Sequence, residues 1–293
     1  MSFNMVTDFK FRNFGLYLGV FYLALTGGGG CNLFTDFPST NTDQAIIDTA
    51  TNEIDQSQWT AAIATLQTLS PATLATESVQ LLLATAYAGR GGLNLLSLSN
   101  TIQNTAGLPF FVVLMKAFPG ATNANIADEI SAEGIMQGIN LNAANRTNDE
   151  NVFMVFMEMA KLGDILSARA DTLNDGVVDP TFDACVDTSI ADVNQVAASI
   201  GNIIASVQAS GLTVGAGLIG TLTAKCAQLG GACAILQASQ VLLDSAQQIL
   251  TQTLIGETAL GIGLAEPLRT GVCEIPPAGT NCDASGSGAC PPL

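Results

Sequence analysis

The spacing of apolar residues constrains the fold of this chain more than any other feature. From Asp43 onward, apolar residues recur three and four positions apart, and strict alternation of apolar with polar residues is rare. The first pattern gathers apolar side chains on one face of an α-helix, whereas alternation would be typical of a half-buried strand. Ala, Leu and Gln, which favour helices, are also abundant. The sequence therefore predicts an all-α fold without a convincing β-strand.

Proline and glycine mark the ends of the predicted helices. Pro71, Gly91-Gly92, Pro109 and Pro119-Gly120 each stand between two periodic segments, where residues that interrupt helices are expected. The predicted helices cover residues 43–55, 58–69, 75–89, 92–104, 108–118, 124–144, 149–170, 188–209, 215–228, 231–253 and 256–264. The tail is rich in Pro, Gly and Ser, so we expect a loop region there.

Two neighbouring segments carry a repeat-like pattern. The positions concerned are Trp59, Ala62, Ile63, Leu66 and Leu69, followed by Leu82, Leu83, Ala84, Ala86, Tyr87 and Gly91. In a helical hairpin, the small residues would let two backbones approach, while Trp59 and Tyr87 fill the groove between them. We expect Trp59, Tyr87, Ala62 and Leu83 to be structural.

This spacing resembles the tetratricopeptide repeat (TPR), with residues 43–69 as one degenerate unit and 75–104 as another. The resemblance implies a helical-hairpin array that serves as a scaffold or a peptide-binding surface. Solenoid repeats usually need three or more neighbours to bury their faces. An ordinary helical hairpin within a helical domain is therefore the alternative interpretation.

The first 31 residues have the layout of an export signal. Lys10 and Arg12 precede an apolar run at 14–26, and four glycines lead into Cys31. The apolar run is short for a membrane span. The segment resembles a bacterial lipoprotein signal, which implies cleavage before Cys31 and diacylglycerol on its thiol. Gly28 departs from that family, which usually has leucine there, and an ordinary cleaved signal or an uncut anchor are the alternatives.

These features predict five successive regions. They are a lipoprotein signal peptide at 1–30, a tether at 31–42, a TPR-like helical region at 43–170, a C-terminal helical region at 171–271 and a Cys/Gly/Pro-rich tail at 272–293. The stretch 190–265 is unusually apolar, but polar residues interrupt it before eighteen apolar residues accumulate. We expect buried helices there; a greasy groove or a membrane-seated hairpin is the alternative.

The remaining cysteines are even in number and fit an exported protein. They are Cys185, Cys226, Cys233, Cys273, Cys282 and Cys290. Three disulfides would use all six and would persist in an oxidising compartment. Fifteen pairings are possible; the prediction is Cys226 with Cys233, Cys282 with Cys290, and Cys185 with Cys273. These bonds would staple the tail.

Charge and the absence of histidine exclude several functions. The chain has 9 basic and 25 acidic residues, a net charge of −16, and no histidine. Such a negative chain repels phosphate backbones, so we expect no nucleic-acid partner, and membrane attachment must come from the lipid on Cys31. Because one acyl chain binds only marginally, several would be needed on that cysteine. Triads that use histidine and histidine-bound zinc are excluded.

An acidic segment offers a weak possibility of calcium binding. Its carboxylates recur every four residues, at Asp171, Asp175, Asp179, Asp183 and Asp187. Aligned as a calcium loop, the segment has acids at the first, fifth and ninth positions. It fails at Leu173 and Phe182, where oxygen ligands are expected. The favoured interpretation is a solvated acidic turn stapled by Cys185, and no metal site is predicted.

Two other clusters could carry chemistry. Asp128, Glu129 and Glu133 share a predicted helix and could serve glycosidic hydrolysis, but a solvated charged face is favoured. The second cluster comprises Phe153, Met154, Phe156, Met157 and Met159. It lacks the cysteine or histidine that a Cu(I) site would need nearby, so core packing is favoured, with an apolar ligand cavity as an alternative.

The sequence thus predicts a non-enzymatic lipoprotein of the bacterial cell envelope, anchored to a membrane, expected to be the outer one, without a cofactor. It would act as a helical scaffold that binds envelope proteins. One alternative is a carrier of small apolar ligands associated with a transporter, with a cavity lined by Phe110, Phe153, Phe156 and Met157. The other is a carboxylate-based hydrolase that uses Glu129, Glu133 and Asp164.

Overall fold

A computed structural model describes residues 42–105, 107–184 and 186–211, together with Gly220, Thr251 and Ile255. Within these ranges the regular elements are helices and no strand is present, which confirms the all-α prediction there. In chain order the α-helices are α1 (Asp43–Asp55), α2 (Trp59–Leu66), α3 (Pro71–Leu74), α4 (Glu77–Gly91), α5 (Leu95–Asn104), α6 (Phe110–Ala117), α7 (Asn123–Ile139), α8 (Asn148–Ala170) and α9 (Ile190–Ser210). A short 3₁₀ turn, Ala143–Asn145, precedes α8.

The helix predicted at 124–144 differs most from the structure. It ends at Ile139, because Asn140 has an extended backbone (φ −149°, ψ 111°). The 3₁₀ turn then follows, and the Asn142 side chain accepts a hydrogen bond from the backbone N–H of Ala144. Asparagine competes for backbone groups in this way, which is why it favours turns. Short α3 was not predicted, and the helices predicted at 215–228, 231–253 and 256–264 lie outside the described residues.

The three longest helices each begin with a capping box, in which two side chains and two backbone N–H groups bond reciprocally. The pairs are Thr122 with Asn125, Thr147 with Glu150, and Ser189 with Asp192. Each pair satisfies N–H groups that have no partner within the helix. These local contacts explain why the starts of α7, α8 and α9 lie within two residues of the predicted ones.

Helix α8 lies at the centre of the described structure. Helices α6, α7 and α9 pack against it, α4 packs against α7, and α2 packs against both α1 and α4. From Met154 to Ser167 every residue of α8 except Phe156 is buried. Because this part of the helix is enclosed on all sides, its charged residues Glu158, Lys161 and Asp164 also lie in the interior. These buried charges form the core of the candidate site.

The two predicted hairpins differ in their packing. Helices α1 and α2 pack on each other, and the ring of Trp59 lies on Gly89 of α4, where a Cβ atom would stand 2.6 Å from the indole. Ala62 and Ala86 are fully buried in the same apolar cluster. In the segment 75–104, α4 packs mainly on α7 and α5 mainly on α6. The close approach at small residues therefore joins α2 of the first segment to α4 of the second.

Among the described helices, α9 is long and apolar enough to cross a membrane when judged by length and composition alone. Its most apolar window has a mean hydropathy of 1.2, and 56% of that window is buried inside the protein. A core helix passes the same test, and α9 packs along α8.

Candidate functional site

Charged side chains of the central helix form an ion-pair triad in the protein interior. The ammonium group of Lys161 bonds to Oε2 of Glu133 on α7 and lies 2.8 Å from Oε2 of Glu158, one turn earlier on α8. Lys161 and Glu158 have no exposed surface, and Glu133 is 6% exposed. We call Glu133, Lys161 and Glu158 the triad.

Neutral side chains satisfy the remaining oxygens of the triad. The amide of Asn202 on α9 donates to Oε1 of Glu158 at 2.6 Å and to Oε1 of Glu133 at 2.8 Å. Ser199 donates to Oε2 of Glu158 at 2.7 Å, and Gln137 donates to Oε1 of Glu133 at the same distance. The triad thereby joins α7, α8 and α9 through hydrogen bonds, of which the one from Ser199 is buried and those from Asn202 and Gln137 are partly buried.

Burial and the neighbouring charges shift the pKa values of Lys161 and Glu158 in opposite directions. Burial alone would lower the pKa of Lys161, but Glu158 and Glu133 together raise it above its ordinary value. Burial raises the pKa of Glu158, and Lys161 partly opposes that increase. Lys161 therefore stays protonated as a buried cation held between two acids.

A second buried carboxyl, that of Glu129, lies one turn before Glu133 on α7. Glu129 has no exposed surface, and neither of its oxygens has a hydrogen-bond partner in the described structure. Burial raises its pKa well above the ordinary value, and the nearby charges of Asp164 and Glu158 raise it further, while Lys161 opposes them. Burial and the neighbouring acids therefore favour the neutral form of the Glu129 carboxyl.

Asp164 on α8 is another buried acid beside the triad residues in sequence. It is 1% exposed, its Oδ2 atom has no partner, and burial raises its pKa to about 8. The hydroxyl of Ser167, one turn further along α8, is also buried without a partner. Glu129, Asp164 and Ser167 thus each have a buried oxygen that no donor satisfies in the described structure.

The C-terminal end of α4 lies against Glu129. A Cβ atom at Gly91 would stand 2.6 Å from Oε1 of Glu129, so the carboxyl group lies directly on this glycine. Gly91 is the last residue of α4, and the C-terminal end of a helix carries partial negative charge. The backbone therefore adds to the negative potential around Glu129.

The prediction that Glu129 and Glu133 lie on a solvated face of α7 is wrong, because both side chains are buried. Only Asp128 reaches the surface region, where it forms an ion pair of 2.6 Å with Arg90. The sequence did contain a signal, because the two glutamates share a helical stripe with Ile126 and Met136, which are both buried. An acid on the apolar stripe of a helix indicates burial.

The acidic segment after α8 uses its carboxylates to cap turns. Asp171 is fully buried and accepts hydrogen bonds from the backbone N–H groups of Asp175 (3.0 Å) and Gly176 (2.9 Å). Asp179 accepts from the backbone and hydroxyl of Thr172. The prediction of a solvated acidic turn is therefore wrong for Asp171, which is buried. In the described ranges, no three or more Asp, Glu, Cys or His residues are grouped to hold a metal ion.

The aromatic and methionine cluster packs in the core, as predicted. Met154, Met157 and Met159 are at most 3% exposed. The residues proposed to line a ligand cavity are divided between two apolar clusters: Phe110 and Phe156 pack in one, and Phe153 and Met157 in the other. These four side chains do not surround one common space.

The cysteine predictions concern a part of the chain that lies outside the described residues. This applies to Cys31 and to the six cysteines assigned to disulfides, namely Cys185, Cys226, Cys233, Cys273, Cys282 and Cys290. No family model, no curated protein and no solved structure matches this chain.

Proposed function

We propose that this chain is a non-enzymatic lipoprotein of the bacterial cell envelope, anchored through a lipid on Cys31 in the outer membrane. Residues 43–170 would serve as a degenerate TPR-like scaffold, followed by further helices and a tail stapled by disulfides. The order of charge, apolar run, glycines and cysteine at the N-terminus supports the anchor. The helical packing around α8 supports the scaffold.

The observation that carries the binding function is a set of exposed aliphatic side chains around one loop. Between α8 and α9, Leu173 is 74% exposed, Val177 is 58% exposed and Val186 is 48% exposed, and Ile190 at the start of α9 is 61% exposed. Concentrations of exposed apolar side chains are typical of protein interaction sites. We propose this loop as the surface that binds an envelope protein.

Hydrogen bonds hold the loop in a defined conformation. Beyond the Asp171 cap, the backbone N–H of Asp179 donates to the carbonyl of Ala170 at 2.7 Å. Lys116 of α6 donates to the carbonyl of Gly176. A loop that is already ordered loses little conformational freedom when a partner binds, which favours affinity.

The charge of the loop indicates the chemistry of its partner. The loop contains several aspartates, and no Lys or Arg occurs between Arg169 and Lys225. Complementary potentials speed association and exclude partners of like charge. The partner should therefore present apolar side chains flanked by Lys or Arg.

The raised pKa values of Glu129 and Asp164 are in keeping with a carboxylate-based hydrolase; for a carrier, the described residues offer no specific observation. A carrier or a hydrolase would need space for a ligand beside the named residues. In the described structure, Glu129 lies directly on Gly91, and the ring of Phe118 packs directly on Gly163. The triad, whose members bond to each other and to neutral side chains, supports a structural role instead.

Cross-linking from the loop tests the binding function. A photoreactive residue at Leu173 should give an adduct of one defined mass in cells, whereas the same residue at Leu141, which is 63% exposed, should not. The double variant L173D/V177D should lose binding to the isolated partner, and added salt should weaken binding of the native protein. Equal adducts from both positions would contradict the proposal.

Mass spectrometry tests the anchor independently. The native protein purified from membranes should lack residues 1–30, carry acyl groups on Cys31 and show six fewer hydrogens than its reduced form. Cys31→Ser should remain unprocessed and fail to incorporate palmitate. A native protein that retains Met1 and carries no lipid would overturn the anchor, whatever the cross-linking shows.

A further inference from the structure

The loop between α8 and α9 contains a reactive dipeptide, Asp175 followed by Gly176. It is the only Asp-Gly pair in the sequence, and Asn-Gly, which reacts in the same way, does not occur. Because glycine has no Cβ atom, the backbone nitrogen that follows the aspartate is open to the aspartate's own carboxyl group. That nitrogen can attack Cγ and close a succinimide ring, which water reopens to aspartate or isoaspartate.

The side chain of Asp175 already lies across the Gly176 peptide. Its Oδ1 atom accepts a hydrogen bond of 2.9 Å from the backbone N–H of Val177. This bond closes a turn around Gly176, so the carboxyl group and the Gly176 nitrogen belong to one hydrogen-bonded ring. Asp175 is exposed and Gly176 is half-buried. The carboxyl group is therefore near the nitrogen, and water that would hydrolyse a succinimide has access.

The buried carboxyl group of Asp171 holds the nitrogen that would have to react. Its Oδ2 atom accepts a hydrogen bond from the backbone N–H of Gly176 at 2.9 Å, and its Oδ1 atom accepts one from Asp175 at 3.0 Å. Attack on Cγ would require the Gly176 nitrogen to lose its proton and turn away from Asp171. Asp171 has no exposed surface, so water does not compete for these bonds.

The other side of the same glycine is also fixed. Lys116 of α6 donates a hydrogen bond to the carbonyl of Gly176. Gly176 has a φ of 76°, which a glycine adopts without strain. With its N–H bound to Asp171 and its carbonyl bound to Lys116, Gly176 is restrained at both ends. Closure of the succinimide ring would have to break the first restraint and distort the second.

We propose that Asp175 and Gly176 form a latent site of isomerisation to isoaspartate, which the Asp171 carboxyl group keeps inactive in the folded protein. The Gly176 nitrogen bonds to Cγ of Asp175, and its proton leaves with the displaced hydroxyl of the carboxyl group as water. Hydrolysis of the ring at the backbone carbonyl carbon takes up one water and leaves the chain running through Cγ. The net reaction is an isomerisation that consumes no other reagent.

Isomerisation changes the loop itself. The backbone gains a methylene group between Asp175 and Gly176, and the turn that Val177 closes on the Asp175 side chain is lost. In the proposed binding surface this displaces Leu173 and Val177, so binding of the partner declines as isoaspartate accumulates. This last consequence rests on the proposed function, whereas the reaction itself does not.

Incubation of the full native protein in water labelled with heavy oxygen tests the site. Each Asp175 that passes through the succinimide takes up label, and peptide mass spectrometry with fragmentation measures both label and isoaspartate at this position. At neutral pH, the folded protein should react roughly tenfold more slowly than the same protein unfolded in guanidinium chloride, the factor that corresponds to about one lost hydrogen bond.

Two variants assign the protection to Asp171. Asp171→Asn offers one carbonyl oxygen where the carboxyl group offers two acceptors, so the folded variant should isomerise faster, toward the unfolded rate. Asp187→Asn makes the same chemical change at an exposed acid of the same loop, which caps the N–H of Asp183, and should keep the native rate. Circular dichroism should give equal helical content for both variants, which shows that they fold.

Two further measurements leave Asp171 intact. Hydrogen exchange of the Gly176 amide should be slow in the folded native protein, because its N–H is bound to a buried acceptor. Asp175→Asn converts the reaction into deamidation, which a gain in mass reports directly, and it too should be slow in the folded state and fast in the unfolded one.

The outcomes separate the reaction from the proposed function. Slow isomerisation in the folded native protein that is accelerated in Asp171→Asn and unchanged in Asp187→Asn supports the site. Equal rates in folded and unfolded protein, or rapid exchange of the Gly176 amide, would overturn it. Equal rates in folded Asp171→Asn and native protein would overturn the role of Asp171. Failure to find a binding partner would contradict the proposed function and leave these rates unchanged.

Discussion

Lys161 Nζ and Glu158 Oε2 lie 2.8 Å apart, one turn from each other on α8, and at most 1% of either side chain is exposed to solvent. Removing two charges from water is costly, and their attraction offsets this only when hydrogen bonds satisfy the remaining atoms. Glu133, Ser199 and Asn202 provide those bonds. The pair is therefore stable as part of a network that spans three helices.

Removing the cation of the triad should destabilise the protein strongly. Lys161→Met leaves Glu133 and Glu158 facing each other in the interior, and breaking a buried pair in this way costs about 3–5 kcal/mol. Urea denaturation measures the free energy of unfolding. The control Arg90→Met breaks the half-exposed pair with Asp128, for which we expect a loss of about 1 kcal/mol or less. Equal losses in both variants would contradict the network.

The protein should lose stability as pH rises from about 4 to about 8. Asp164 has a pKa of about 8 in the folded protein, against an ordinary value of 3.8. Between these two pKa values the folded state retains a proton that the unfolded chain has released. The contribution of the protonated Asp164 carboxyl to stability is therefore complete below the ordinary pKa of 3.8 and is lost as pH approaches the folded-state pKa of about 8. The slope is about 1.4 kcal/mol per pH unit for one such group.

Asp164→Asn isolates this effect, because asparagine is neutral at every pH. The difference in unfolding free energy between the native protein and the variant should change across this window in the stated direction. A difference that is flat between about pH 4 and about pH 8 would show that Asp164 is ionised in the folded protein.

Alanine should be destabilising at Gly163 and stabilising at Gly134. In α8, the added methyl group would meet the Phe118 ring and the backbone of Leu114, and overpacking of this kind costs about 1–3 kcal/mol. In α7, no described residue lies within 4 Å of the corresponding position of Gly134. There, the higher helix propensity of alanine should add up to about 1 kcal/mol. Chemical denaturation of the two variants should show opposite signs.

The fluorescence of the single tryptophan should report on the contact between α2 and α4. Trp59 is the only tryptophan in the chain, and its ring lies on Gly89. Gly89→Ala should displace the ring toward water and shift the emission to longer wavelength, whereas Gly134→Ala should leave the spectrum unchanged. An unchanged spectrum in Gly89→Ala would place the ring elsewhere.

Prediction succeeded where the physical cause is local. The first predicted helix, 43–55, matches α1, and capping residues such as Thr147 and Ser189 lie beside the helices that they start. Apolar spacing and caps act within a few residues along the chain, so one sequence contains the information. The end of α7 at Ile139 differs from the predicted end because Asn140 and Asn142 favour turns over helix.

The candidate site depended on contacts between distant parts of the chain. Lys161 bonds to Glu133, 28 residues earlier, and Glu133 bonds to Asn202, 69 residues later. The sequence alone determined that the described chain would be helical, because apolar spacing and capping are local properties. Only the tertiary structure decided that α8 would be enclosed, since enclosure depends on which helices pack around it. Enclosure in turn placed Glu133, which was expected at the surface, in a buried network with Lys161 and Glu158.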